Sequence, residues 1–139
     1  MINKNDNPHQ SSMTVILNAK GDVLLLKRPD GLDPKEYPNL WCLVGGHGII
    51  GETPREGALR EIFEETGIKI KPDNLKFVLE KVDGEKKYYF FKTETNKEPN
   101  MTRVLDEHVG FSWVRPDRLD DYQMIKDTGL IIKRILRNL

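Results

Sequence analysis

The sequence predicts an α/β/α sandwich around a mixed sheet. Three observations predict it. Strand-like segments outnumber helices, the two main helical segments do not alternate regularly with the strands, and each helical segment has an apolar face suited to covering a sheet. At 139 residues the chain is long enough for one domain with a substantial core. Its 22 basic and 22 acidic residues balance, and no basic tract suggests a nucleic-acid polymer or an anionic membrane surface as partner. Cys42 is the single cysteine, which rules out an internal disulfide and fits a reducing compartment such as the cytoplasm. No apolar run approaches the roughly 20 residues of a membrane span. No hydrophobic segment near the N-terminus reads as a secretory signal.

The elements follow in order. Residues 1–11 are polar and are expected to form a frayed, disordered tail, leaving residues 12–139 as the domain. Met13 to Asn18 reads as a strand, Lys20-Gly21-Asp22 as a turn and Val23 to Lys27 as a second strand. The unbroken Val23-Leu24-Leu25-Leu26 run implies burial on both faces. Arg28 to Asn39 carries three prolines and Gly31 and is expected to be a loop. Trp41 to Val44 reads as a short strand, with Trp41 as a core anchor, running into a glycine-rich loop at Gly45-Gly46. Two glycines there let the backbone approach a ligand closely, and the Gly45 carbonyl can face a metal.

A helix is expected from about Pro54 to Thr66. Thr53 and Glu56 have capping-box spacing, Pro54 suits the first helical position and Gly67 suits the residue after the last turn. Ala58, Leu59, Ile62, Phe63 and Thr66 share a face for packing on the sheet, while Glu61, Glu64 and Glu65 fall on a separate arc. Gly57 leaves space beside that arc. Beyond Gly67, Ile68 to Ile70 is strand-like. Leu75 to Val82 and Lys87 to Thr93 read as a hairpin. The second arm puts aromatics on both sides of a strand: one side fills the core, and the other, including Tyr89, can meet a nucleobase or simply pack across the sheet. Thr93 to Arg103 is a polar connection, and Val109 to Val114 is another strand. A short helical turn begins at Arg115-Pro116-Asp117, and a final helix runs from Thr128 to Leu139 with Leu130, Ile131, Ile135, Leu136 and Leu139 toward the sheet.

The acids of the first helix work against stability. Like charges at i, i+3 and i, i+4 repel by about 0.2–0.5 kcal/mol per pair. Glu64 and Glu65 also sit in the last turn, where the helix dipole disfavours anions by roughly 0.3–1 kcal/mol each. Arg60 can offset one acid by i, i+4 pairing with Glu64. A bound cation would remove the conflict, and all-oxygen ligation points to Mg²⁺ or Mn²⁺. A solvated acidic helix face is the alternative.

Spacing favours the cation. Gly46, Glu52, Arg60, Glu61, Ile62, Glu64, Glu65, Gly67 and Ile68 fill the pattern G-x5-E-x7-R-E-U-x-E-E-x-G-U, with U a bulky apolar residue, without a gap. At ordinary residue usage a chance match at one register is on the order of 10⁻⁹. This is the Nudix box, and the chain resembles a Nudix hydrolase of the MutT-like kind. It departs from many family members at Val44, where proline is frequent, and at Gly48-Ile49-Ile50.

The resemblance implies a Nudix-type sandwich with a loop–helix–loop catalytic motif and a Mg²⁺-dependent (or Mn²⁺-dependent) hydrolase. Carried over by position, Glu61, Glu64, Glu65 and the Gly45 carbonyl are the expected metal ligands. Arg60 orients the glutamates, Glu52 holds the loop to the helix, and Gly46 lies at the substrate. The general base is Glu61 or Glu107; Asp106 is the second acidic candidate ahead of its strand. Arg28 is placed to meet substrate phosphate or is an ordinary strand-end charge. The family's ADP-ribose proline falls at Asp83, Tyr88 is out of register with the dinucleoside polyphosphate tyrosine, and no coenzyme A signature is evident. The resemblance therefore implies a (d)NTP or modified nucleotide, cleaved to the monophosphate and pyrophosphate. The alternatives are a dinucleoside polyphosphate or non-nucleotide diphosphate hydrolase, or a nucleotide-binding module without turnover. Whether the protein is a monomer or a homodimer stays open.

Overall fold

The computed structural model describes residues 5–31, 33–100 and 108–137. They form strands β1 (Asp6–Leu17), β2 (Val23–Lys27), β3 (Trp41–Cys42), β4 (Val44–Ile49), β5 (Lys76–Asp83), β6 (Lys86–Glu94) and β7 (Gly110–Val114), with helices α1 (Pro54–Thr66) and α2 (Thr128–Arg137). All seven strands belong to one sheet in the order β3-β2-β1-β6-β5, with β4 added to β1 and β7 to β2. β1 and β6 run parallel, from Gln10↔Lys87 to Leu17↔Glu94, and the other pairs are antiparallel. The sheet is therefore mixed, as expected.

Period-two alternation builds a core on each face. Val15, Leu17, Val23, Leu25 and Phe90 point to one side, where Leu119, Ile132 and Ile135 cover them. Ile16, Leu24, Leu26 and Phe91 point to the other, beneath Ala58 and Ile62 of α1. The two helices thus lie on opposite faces, and the sandwich follows from the sequence pattern. Val23 to Leu26 are all fully buried, as their unbroken apolar run implied. Trp41 packs on the α2 face, edge-on to Tyr122 with ring centroids 5.1 Å apart. No helix among the described residues is long and apolar enough to cross a membrane.

Three expectations change. The first strand begins at Asp6 rather than Met13, so residues 6–11 belong to the sheet and not to a frayed tail. Polarity misleads there because backbone partners do the work: Asp6 pairs with Ile49, Asn7 with Gly48 and Ser11 with His47, with an irregularity between Asn7 and Ser11. The glycine-rich stretch after Val44 is likewise strand β4 rather than loop, since β1 offers it a free ladder. Ile68 to Ile70 forms no strand. The Ile68 N–H goes to Thr66 Oγ1 at 3.1 Å, while the Ile68 side chain enters the α1-face core.

Candidate active site

Helix α1 has the bounds its caps predicted. Thr53 Oγ1 accepts the Glu56 N–H at 3.1 Å, and Glu56 Oε1 accepts the Thr53 N–H at 2.9 Å. The Thr53 bonds hold the Glu56 carboxyl below its ordinary pKa. Gly67 ends the helix at φ 74° with its N–H on Phe63 O. The helix packs on β1 and β4, and the contact is close at β4. A Cβ on Gly45, at φ 154°, would lie 2.2 Å from Ser12 O and 2.8 Å from Met13 Cα, so only glycine fits between the strands.

Arg60 is the hub of the cluster that results. Its Nε donates to Glu52 Oε2 at 2.7 Å and its Nη2 to Glu52 Oε1 at 3.1 Å, a bidentate pair. Nη2 also reaches His47 O at 3.0 Å. Nη1 donates to both Glu61 Oε1 and Glu64 Oε2, each at 3.1 Å. The bond to Glu52, followed by the charges of Glu61, Glu52 and Glu64, raises the Arg60 pKa above its ordinary value against the effect of burial. Glu52 Oε1 accepts the Ile49 N–H at 3.0 Å, which ties the end of β4 to the helix.

The glycines make room for these acids. A Cβ on Gly46 would press on the Glu61 carboxylate at 3.1 to 3.3 Å, and one on Gly57 would stand 3.1 Å from Glu52 Oε1. The space expected beside Gly57 is therefore filled by Glu52. Gln10 Nε2 donates to Glu52 O at 3.1 Å and Ser12 Oγ to Pro54 O at 2.8 Å, so β1 holds the turn into the helix.

Glu65 departs from the expected arc. It is 2% exposed, and its Oε1 accepts the Gly45 N–H at 2.7 Å. Ala58, Ile62, Glu65 and Thr66 are buried together, so the packing face is rotated toward residue 65 and Phe63 is left half-buried. His108 Nδ1 stands 3.5 Å from Glu65 Oε2, and His108 Nε2 lies 3.6 Å from Cys42 Sγ. Burial, with a smaller push from the Arg28 charge, lowers the His108 pKa to about 4. The ring is thus neutral near pH 7. Neither His108 nor Cys42 is among the candidates the sequence offers, because the contacts that link them to Glu65 are made across the fold.

The remaining expected residues fall elsewhere. Arg28 donates from Nε and Nη2 to Glu36 O at 3.2 and 3.1 Å, which closes the stretch between β2 and β3 on itself. Tyr89 is half-buried on the α1 face, its ring 6.4 Å from that of Phe77, in the strand position paired with Ser12. Glu107 and Asp106 lie outside the described residues. Among the described residues no three His, Cys, Asp or Glu side chains stand close enough to ring an ion; the Arg60 guanidinium bridges Glu61 and Glu64 instead.

Residues 7–138 match the family model described as NUDIX domain. The chain belongs to the Nudix hydrolase family. It is 28% identical over 107 residues to a MutT-like protein of Streptomyces ambofaciens, covering 77% of this chain and 64% of that one. It is 32% identical over 111 residues to a Bacillus subtilis (strain 168) protein provisionally named an 8-oxo-dGTP diphosphatase, covering 79% and 68%. The chain therefore spans about two thirds of the length of these curated relatives. The crystal structure of a MutT protein from Methanosarcina mazei Go1 superposes with a TM-score of 0.70 at 26% identity, over 92% of each chain. Within the Nudix box, Glu52, Arg60, Glu61 and Glu64 form one hydrogen-bonded cluster, and Glu65 makes a second, buried one with Gly45.

Proposed function

We propose that this Nudix domain hydrolyses a (d)NTP or modified nucleotide to the monophosphate and pyrophosphate, with Mg²⁺ or Mn²⁺ as its cation. The observation that carries the reading is that three box carboxylates converge on one guanidinium at the edge of β4, with a fourth on the adjacent Gly45 amide.

The donor chemistry suits a hard divalent ion, although Glu61 and Glu64 are here turned to Arg60 and would have to draw together with Glu65 to hold one. Glu61, Glu64, Glu65 and the Gly45 carbonyl offer only oxygen donors, and Glu61 and Glu64 already share a positive neighbour in Arg60. When bound, such an ion neutralises phosphate charge and lowers the pKa of the attacking water.

The chain's own residues do the rest. Glu52 fixes the end of β4 to α1 and locks the Arg60 guanidinium in plane. Arg60 in turn aims Glu61 and Glu64. Gly46 leaves the Glu61 carboxylate uncovered by any Cβ, so substrate approaches it across bare backbone. Water attacks phosphorus, the bond to the leaving group breaks, and the water's proton passes to a carboxylate, Glu61 or Glu107. Arg28 enters as the phosphate-facing charge near His108, and Tyr89 as a half-buried ring beside Ser12.

A panel of nucleoside triphosphates, dinucleoside polyphosphates and nucleotide sugars, assayed with and without Mg²⁺, tests this. The expected result is Mg²⁺-dependent release of a nucleoside monophosphate and pyrophosphate from a triphosphate. Binding without turnover across the panel would replace the hydrolase with a nucleotide-binding module.

A further inference from the structure

His108 is the buried polar side chain for which the reaction above has no use. It is 3% exposed, and its Nδ1 is fully buried with no hydrogen-bond partner among the described residues. A histidine buried only for packing would be expected to satisfy that nitrogen on a backbone carbonyl. Here the ring is held between two side chains, Glu65 Oε2 at 3.5 Å and Cys42 Sγ at 3.6 Å.

We propose that His108 is a positioning residue that presents an Nδ1–H to Glu65, while its Nε2 accepts a hydrogen bond from the Cys42 thiol. The tautomer follows from charge. A neutral imidazole carries one N–H. A lone pair on Nδ1 would repel the carboxylate, whereas an N–H attracts it. With the proton on Nδ1, Nε2 is an acceptor, and the neighbouring Cys42 thiol is a weak donor. Each Glu65 oxygen then has a fixed neighbour: the Gly45 N–H at 2.7 Å on Oε1 and the imidazole on Oε2. Two neighbours on two oxygens set the plane of the carboxylate. The inference rests on the reading of Glu65 as a cation ligand for its consequence, but not for its geometry.

Two measurements test it. Long-range ¹H–¹⁵N spectra of the metal-free protein should show His108 protonated on Nδ1, and a proton on Nε2 would overturn the proposal. Mn²⁺ binding should then separate two substitutions. His108→Asn keeps an amide near the Nδ1 position and should bind Mn²⁺ close to wild type. His108→Gln moves the amide toward Cys42 and should bind about 10-fold more weakly, the usual effect of losing a ligand's orienting partner. In a Glu65→Gln background the Asn and Gln variants should bind alike. A folded His108→Gln with wild-type affinity, or a folded His108→Asn that loses affinity, would overturn the proposal. In that case Glu65→Gln would still weaken binding, and the metal reading would survive. If Glu65→Gln changes nothing, the metal reading falls as well. Should His108→Gln not fold, the Asn variant and the spectra still decide.

Discussion

Helices α1 and α2 cover opposite faces of the same sheet and are built on different terms. α2 buries Ile132 and Ile135 at full depth and keeps Lys133, Arg134 and Arg137 away from those positions, an ordinary amphipathic arrangement. α1 buries Ala58 and Ile62 but also the carboxylate of Glu65, and it crowds Glu61 and Glu64 around one arginine. It compensates with a full capping box, Pro54 at its start and a left-handed glycine at its end. A helix that breaks local rules and is reinforced at both ends is one kept for chemistry.

The contrast can be broken from either side. The largest expected effect is Ile135→Ala on α2, which empties a fully buried site and should cost about 2–5 kcal/mol by chemical denaturation. Turnover per folded molecule should stay the same. Glu64→Gln on α1 should do the reverse. Its side chain is 53% exposed and its i, i+4 pair with Arg60 adds little stability, so Tm should hardly move. Its kcat should fall at least ~100-fold, about 2.7 kcal/mol in the barrier, and near-normal turnover would remove Glu64 from the cation site. Thr53→Ala deletes the cap of α1 and should cost ~1 kcal/mol of stability, read as a drop in denaturation midpoint.

The smallest effect is one of pH. Thr53 lowers the pKa of Glu56 in the folded state, so the stability from the ionised cap is fully present above about 4.5 and lost as pH falls through the folded value. The Tm gap between wild type and Glu56→Gln should therefore be open at neutral pH and narrow in acid. A gap independent of pH would show that the Glu56 charge contributes nothing.

Much of this was legible in the residues. Caps are local chemistry, so Thr53, Pro54 and Gly67 set the ends of α1 directly. The box spacing brought Glu52, Arg60, Glu61 and Glu64 together because all lie on one helix or on the turn leading into it. What the sequence hid is contributed across the sheet. Residues 6–11 read as a tail because pairing with β4 uses backbone, which leaves no trace in side-chain pattern. Glu65 read as one more acid of the Glu61–Glu64 arc, because its partners, the Gly45 amide and His108, arrive from 20 residues before it and from beyond β6. Arg28 read as either a phosphate contact or a strand-end charge, and pattern alone gave no sign of its two bonds to the carbonyl of Glu36, eight residues on.

The fit of Gly45 against β1 has a consequence for how this molecule can vary. With Ser12 O and Met13 Cα occupying the place of any added methyl, the floor beneath the acids admits no alternative residue. Because both obstructing atoms are backbone, no side-chain substitution in β1 can make room, and residue 45 stays glycine however the side chains around it vary.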